Sequence, residues 1–394
     1  MLLSYFIDEL LGTQGVKYIS TEESGDELTV KVEMPRVEHV CPCCVTLTDQ
    51  VHDYRYQDIN AGTFNHKHVT VNYRKRRYRC PKCGKRFPEE NSFVGRYQRI
   101  TRAVIANIIN FLTELVSFTH VARENRISTR TVIKTLDQIQ YPSPKHLPAA
   151  LGIDEFRGNA NRVKYQVLLT DLTTRKPIDI LPNRYESTIT RYFMQYSREE
   201  RDKVTTFVSD MFREYNRIGK EVFHNAVRVA DPFHYVRLMI WALENIRKRE
   251  QKRLGPARQK YFKKAKVLLI KRFGELSPDN QQAVLRMLEL SSDLSTAHYY
   301  KERLLQIVDI EDVDEKIKLF HSLTDSMKNS GILELEKCAD SYYNWFPNIV
   351  NSLRNIYSNG LTEGCNNKIK VLKRIAFGYR NYERFCKRIF HSFS

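Results

Sequence analysis

The chain contains no run of about 18 consecutive apolar residues, the length a helix needs to cross a bilayer, so no membrane span is expected. Its first residues also lack the basic stretch that opens a secretory signal: Met1–Gly12 carries Asp8 and Glu9 but no Lys or Arg. A reducing cytosol is therefore the expected compartment. The eight cysteines are then free thiols or metal ligands rather than disulfides. Glycine and proline are sparse between residues 251 and 350, where Leu, Lys and Glu abound, so that stretch is expected to be mostly helical. Disorder does not fit an apolar fraction of 42% with 22 Tyr and 20 Phe.

Negative charge is also in short supply. There are 64 Lys and Arg against 46 Asp and Glu, a net charge of +18. The imbalance is local. Arg74–Arg86 holds eight basic residues and no acid, Arg247–Arg272 twelve and one, and residues 351–394 nine and two. These segments together exceed the charge of the whole chain, so the remainder is net negative. Such an excess favours a polyanionic partner, nucleic acid or an anionic membrane surface. Confinement to segments suits a tracked phosphate backbone; the alternative is a set of solvated helix faces.

Five cysteines cluster early. Cys41-Pro-Cys-Cys44 and Cys80-Pro-Lys-Cys83 are paired Cys-x-x-Cys knuckles, and Cys41, Cys44, Cys80 and Cys83 can offer four thiolates to one tetrahedral structural Zn²⁺. The 35 intervening residues exceed the common spacing, but a hairpin fits there, with Phe64–Tyr73 alternating as a strand. Cys43 is a spare thiol or a substitute for Cys41 or Cys44. A redox role does not fit two motifs without a βαβ pattern. Arg74, Lys75, Arg76 and Arg77 lie beside the second knuckle, within reach of phosphate.

Ile100–Val116 is expected to be helical. Helices over 118–124 and 129–138, a turn near Asn125 and Ser128 as N-cap give helix-turn-helix spacing. Thr129, Arg130 and Lys134 would face DNA, while Val121, Val132, Ile133 and Leu136 would pack. A plain helical hairpin is the alternative. Tyr141–Pro148 reads as a linker.

Beyond it, strand-like runs appear at Ala149–Ile153, Tyr165–Thr170, Pro177–Leu181, Val204–Ser209 and Ala226–Ala230, with helices at Glu186–Phe193, around 198–203, at Met211–Ile218 and from Asp231 onward. The order βββαβαβα indicates a mixed sheet covered by helices. Residues 361–390 are expected to form a last helical segment. Trp241 and Trp345 are expected in the core, and Cys338, Cys365 and Cys386 as free thiols.

Three acids stand at the edges of apolar or small-residue runs: Asp154, Asp210 and Glu363. Acids at strand C-termini project into the crevice where α/β folds bind ligands. Carboxylates gathered there need a cation, and an all-oxygen shell suits Mg²⁺ or Mn²⁺. Spacing alone carries this weakly, because acids after strands are common. Glu155 would point to the opposite face and is not counted as a ligand.

From Cys41 onward the chain resembles the ISL3 family of bacterial insertion-sequence transposases. The resemblance rests on Cys80–Phe87, Gly152–Phe156, Val208–Met211, Val229–Val236 and Ser358–Lys370, with Arg374 and Gly378–Asn381. It implies an α/β fold: a zinc ribbon and an α-helical helix-turn-helix domain before an RNase H-like mixed-sheet catalytic domain, itself interrupted by a helical insertion. The implied boundaries are an N-terminal extension (1–37), the ribbon (38–95), the helix-turn-helix (96–147), the strand-bearing catalytic segment (148–250), the insertion (251–350) and the Glu-bearing C-terminal catalytic segment (351–394). It further implies Asp154, Asp210 and Glu363 as the metal-binding DDE set. The activity would be DNA strand cleavage and transfer at terminal inverted repeats of double-stranded DNA, by a homo-oligomer in the bacterial nucleoid. Asp231 and His234 are near-site residues, with Asp231 the alternative second Asp. Lys370 and Arg374, two and three turns beyond Glu363, hold phosphates or are simply solvated. The first knuckle departs from the family pattern: Val45 stands where Gly follows the second Cys. The alternative function is a DNA-binding regulator, or an inactive derivative, that uses only the ribbon and the helix-turn-helix.

Overall fold

The computed structural model describes Asp8, residues 15–262 and residues 265–393. The amphipathic pattern of Leu2–Leu11 leads to the expectation of a short helix, but apart from Asp8 that stretch lies outside the described residues. The chain divides into two compact units, residues 1–141 with 371–394, and residues 142–370.

The first unit is built on a five-stranded sheet. β1 (Lys17–Ser24), β2 (Glu27–Glu33), β5 (Val51–Phe64) and β6 (Lys67–Arg79) run in the order β1-β2-β6-β5, with β7 (Arg86–Pro88) also on β6. Residues 17–33, before the ribbon, are thus part of this sheet, since β1 pairs with β2 and β2 in parallel with β6. The strand expected over Phe64–Tyr73 is interrupted. Asn65 and His66 both take positive φ, 46° and 63°, the geometry of a two-residue hairpin turn, and the second strand begins at Lys67. The short pair β3 (His39–Val40) and β4 (Leu47–Thr48) frames the first knuckle.

Three helices follow: α1 (Arg102–Phe111), α2 (Phe118–Glu124) and α3 (Thr129–Gln138). Ser117 Oγ and Ser128 Oγ cap α2 and α3, accepting from His120 N–H and Thr131 N–H. Val121, Val132 and Leu136 are buried as expected, whereas Ile133 is only half-buried. α1 ends five residues earlier than its apolar pattern suggests. The fully buried Arg388, from the C-terminal helix Tyr382–Ser392, donates to the carbonyls of Leu112, Glu114 and Val116, which continued helix would have used. The same helix holds α3 through a two-pronged pair between Arg384 and Asp137, at 2.7 and 2.9 Å.

The second unit contains β8 (Ala150–Phe156), β9 (Gln166–Asp171), β10 (Lys176–Leu181), β11 (Thr206–Ser209) and β12 (Val227–Ala230) in the order β10-β9-β8-β11-β12. β8, β9 and β10 are antiparallel; β11 joins β8 and β12 in parallel. One face buries Leu151, Ile153, Val167, Leu169 and Phe207 with residues of α4 (Glu186–Phe193) and α6 (Arg213–Val222), which follows the short α5 (Arg198–Asp202). The other face buries Ala150, Leu172, Val208 and Val229 with Tyr357 and Leu361. This split follows the two-residue period of a strand.

α7 (Pro232–Arg253) leaves the sheet and heads a helical block. The block comprises α8 (Pro256–Gln259), α9 (Ala265–Ile270), α10 (Pro278–Glu289), α11 (Ser292–Asp309), α12 (Val313–Lys328), α13 (Leu333–Asn344) and α14 (Phe346–Arg354). It has its own apolar cluster, with Tyr235, Met239, Leu243 and Ile246 of α7 at one side. Trp345 packs against that cluster. Trp241 does not: it is 50% exposed, because it falls on the opposite side of α7 from Met239 and Leu243. α15 (Gly360–Ile375) follows, and the helical segment expected over 361–390 breaks at Phe377 and Gly378, both at positive φ.

Candidate active site and zinc centre

Asp154 lies two residues before the end of β8, and Asp210 and Asp231 immediately follow the adjacent strands β11 and β12. Asp154 shares the parity of Ala150, Asp210 that of Val208, and Asp231 that of Val229. All three therefore belong to the sheet face that carries Leu361 of α15. Their carboxyls are largely buried and strongly perturbed. Asp210 is pushed up to about 7, first by burial and then by the negative charges of Asp154, Glu155 and Asp231. Burial raises Asp154 to about 6 even though it accepts from Glu155 N–H and Asn366. Asp231 also reaches about 6 through burial, with Glu363 adding repulsion and Asn359 N–H opposing it.

The start of α15 is fastened over this face. Asn359, 2% exposed, donates its Nδ2 to Ile153 O (2.9 Å) and its backbone N–H to Asp231 Oδ1 (3.1 Å). Thr362 Oγ1 and Thr170 Oγ1 share a buried 2.7 Å hydrogen bond. Asn366, one turn beyond Glu363, donates Nδ2 to Asp154 Oδ2 at 2.8 Å. So close an approach requires Gly152. A Cβ there would lie 2.5 Å from Thr170 Oγ1 and 2.9 Å from Asn359 Oδ1.

Glu363 itself is exposed, and Asp231 is a carboxyl that feels its charge. Among the described residues, the carboxylate oxygens do not gather three at a time within 4.8 Å, as the cysteine sulfurs do. The acids form a looser constellation. Asp210 Oδ1 is buried with no hydrogen-bond partner, which suits a cation-binding oxygen. The donors are all oxygen, the preference of Mg²⁺ and Mn²⁺.

Two neighbours do other work. Glu155 points to the opposite face, where it accepts from Arg184 (2.6 Å) and Tyr215 (3.2 Å). His234 lies one turn into α7 with its Nε2 3.8 Å from Asp231 Oδ2. Burial, helped by Arg237, lowers it to about 4, so its ring is neutral at neutral pH.

In the first unit, Cys41, Cys44, Cys80 and Cys83 bring their sulfurs within 4.8 Å of one another. The separations are 3.6 Å (Cys41–Cys83) and 3.5 Å (Cys44–Cys80 and Cys44–Cys83). Tetrahedral zinc with bonds of about 2.3 Å requires edges of about 3.8 Å. Cys43 is exposed and outside the group. The two knuckles have the same backbone. Val45 N–H donates to Cys41 O and Gly84 N–H to Cys80 O, both at 3.0 Å, and Val45 takes φ 60° where Gly84 takes 71°. The missing glycine is replaced by a strained valine.

The basic candidates separate. Arg130 and Lys134 are exposed one turn apart on α3, and Thr129 is half-exposed at its start. Arg74 pairs with Glu33 and lies over Tyr54; Arg77 pairs with Asp53; Lys75 is half-exposed. Arg76 is a correction: it is 4% exposed and held by Glu33 and Glu89, so it cannot present its charge to phosphate. Lys370 and Arg374 are exposed.

Sequence reasoning missed Asn359, Thr362, Asn366 and Thr170. A signal was present for three of them: polar residues at 359, 362, 363 and 366 line one stripe at helical spacing around Glu363.

Comparison with known proteins fits this layout. A family described as "Transposase" matches residues 151–389. The "zinc-finger of transposase IS204/IS1001/IS1096/IS1165" matches 38–83, and the "helix-turn-helix domain of transposase family ISL3" matches 89–139. The chain is 25% identical over 379 residues to the transposase for insertion sequence element IS1001 of Bordetella parapertussis, covering 93% of this chain and 92% of that protein. A shorter match, 26% over 124 residues, covers 25% of the chain and 40% of a Lactococcus lactis subsp. lactis protein named ATP-dependent protease. Ribbon, helix-turn-helix and acid-bearing sheet thus follow one another in the matched order, and the chain belongs to the ISL3 family of transposases.

Proposed function

We propose that the protein binds the terminal inverted repeats of its own insertion sequence and cuts and joins DNA there with Asp154, Asp210 and Glu363. The observation that carries this is the set of buried aspartates on one sheet face under α15, with Asp210 Oδ1 lacking any partner. The 3-2-1-4-5 strand order, antiparallel then parallel, supports reading the sheet as RNase H-like. The helical block between β12 and α15 is then the insertion.

In this reading Asp154 and Asp210, from adjacent parallel strands, hold divalent ions, Mg²⁺ or Mn²⁺, with Glu363 closing the set. When bound, such ions would stabilise the attacking and leaving oxygens of an in-line phosphoryl transfer. Asn366 fixes the orientation of Asp154. Asn359 holds Asp231, which with neutral His234 supports the second Asp from the next strand. Cys41, Cys44, Cys80 and Cys83 hold structural zinc. Arg130 and Lys134 contact the repeat DNA, and Lys370 and Arg374 flanking phosphates. Joining two ends requires at least two copies on DNA, acting in the bacterial nucleoid.

The test is incubation of purified protein with Mg²⁺ and labelled element ends. Nicking at the repeat boundary that leaves a 3′-hydroxyl is expected. Binding without cutting would indicate a regulator, and cutting without regard to end sequence a nonspecific nuclease.

A further inference from the structure

The first unit carries a groove of about 1420 Å³ whose lining stops at Arg99, short of α1, α2 and α3. Its floor is the β5–β6 hairpin and its rim the loop after β7. Arg55, Lys75, Lys85, Arg86, Arg96 and Arg99 line it. None of the six forms an ion pair among the described residues, although the same unit pairs Arg74, Arg76 and Arg77 with acids. Arg55 and Lys75 are opposed across the hairpin and so share one face. The acids of the groove are Glu38, Glu89 and Glu90, and Glu89 is buried and held by Arg76 and Tyr73. The groove therefore presents a net positive charge that no ion pair of the fold consumes.

At its rim stands a second oddity. Gly95–Gln98 forms a tight turn, closed by Gln98 N–H donating to Gly95 O at 3.0 Å. Gln57 Nε2 ties that turn to β5 through Gln98 O, at 2.8 Å. Its third residue is Tyr97, at φ 62°, a position that favours glycine. The tyrosine is 89% exposed, with the Arg96 guanidinium 5.0 Å from its ring centroid. Neither packing nor turn chemistry selects an exposed tyrosine there. A disfavoured backbone that displays an aromatic ring beside unpaired arginines is a feature of recognition sites.

Resting on the DNA-binding reading above, we propose that this groove is a second DNA-contact surface. Arg55, Lys75, Arg96 and Arg99 take the phosphates of duplex DNA, and Tyr97 enters the minor groove as an apolar wedge against a base step.

The test is duplex binding by the full-length protein as a function of salt. The Tyr97→Gly variant separates recognition from structure, since glycine relieves the backbone and the fold should melt no lower than wild type. About tenfold weaker binding to the element end is expected, the scale of one lost aromatic–base contact. Arg55→Ala with Lys75→Ala should weaken binding to all duplexes alike and lower the slope of log K against log salt by about 1.8. Unchanged affinity and slope in these variants, with binding lost in Arg130→Ala/Lys134→Ala, would overturn the groove and leave the DNA-binding reading intact. If the wild-type protein binds no duplex, both readings fail.

Discussion

Asn366 Nδ2 donates to Asp154 Oδ2 across 2.8 Å, joining a helix and a strand that are 212 residues apart in sequence. Together with Glu155 N–H on Oδ1, the bond engages both oxygens of Asp154 and fixes the orientation of the carboxylate. Asn366→Ala should therefore lower strand cleavage by about 10–100-fold while DNA binding stays intact, as loss of a ligand's hydrogen-bond partner commonly does. Single-turnover cleavage and binding measured on the same preparation check this; equal losses in both would point to a folding defect instead.

Asp210 offers a stability prediction with a definite sign. Its carboxyl is raised from 3.8 to about 7, so its ionised form opposes folding. That destabilisation is absent below about pH 4, where the group is protonated folded or unfolded, and grows as pH rises towards 7. In metal-free buffer at pH 8, Asp210→Asn should be more stable than wild type by about 1–4 kcal/mol, with the gap closing near pH 4. Added Mg²⁺ should stabilise the wild type and not the variant. Thermal melts across pH read both effects.

Gly152→Ala adds only a methyl group, but at a point 2.5 Å from Thr170 Oγ1 and 2.9 Å from Asn359 Oδ1. Relief requires the start of α15 to move off the sheet. A destabilisation of about 1–3 kcal/mol is expected, with cleavage falling further than stability explains. A fully active, stable Gly152→Ala protein would show that close seating of α15 is dispensable.

Val45 is 76% exposed and sits at φ 60° in the first knuckle. Val45→Gly removes no packing and relieves a conformation disfavoured for a branched side chain. The net gain should be about 0.5–1 kcal/mol after the entropy of glycine in the unfolded chain is deducted. Slower zinc loss to a chelator, followed with a metallochromic dye, is the readout; faster loss would contradict the strain.

What can be read in the sequence is what local pattern encodes. The strands β8, β9, β10, β11 and β12, the caps at Ser117 and Ser128 and the four zinc cysteines follow from periodicity, capping chemistry and spacing. What escapes depends on contacts between distant segments. Arg388 ends α1 from beyond α15, and Arg76 reads as a phosphate ligand until Glu33 and Glu89 close around it. Trp241 reads as core because a single aromatic carries no phase; only the buried set of α7 shows that it faces outward. The aspartates at 154, 210 and 231 are legible as strand-end acids. Their shared face becomes legible only once the strand order is known.

In the proposed site, Asp154, Asp210 and Glu363 cut the DNA and Asp231 supports them. The most direct measurement is Mg²⁺-dependent cleavage of a labelled element end by Asp154→Asn, Asp210→Asn, Asp231→Asn and Glu363→Gln, each confirmed to bind that DNA. Loss of cleavage to background is predicted for Asp154→Asn, Asp210→Asn and Glu363→Gln, with Asp231→Asn retaining activity within about 100-fold of wild type. An active Asp210→Asn beside an inactive Asp231→Asn would contradict it.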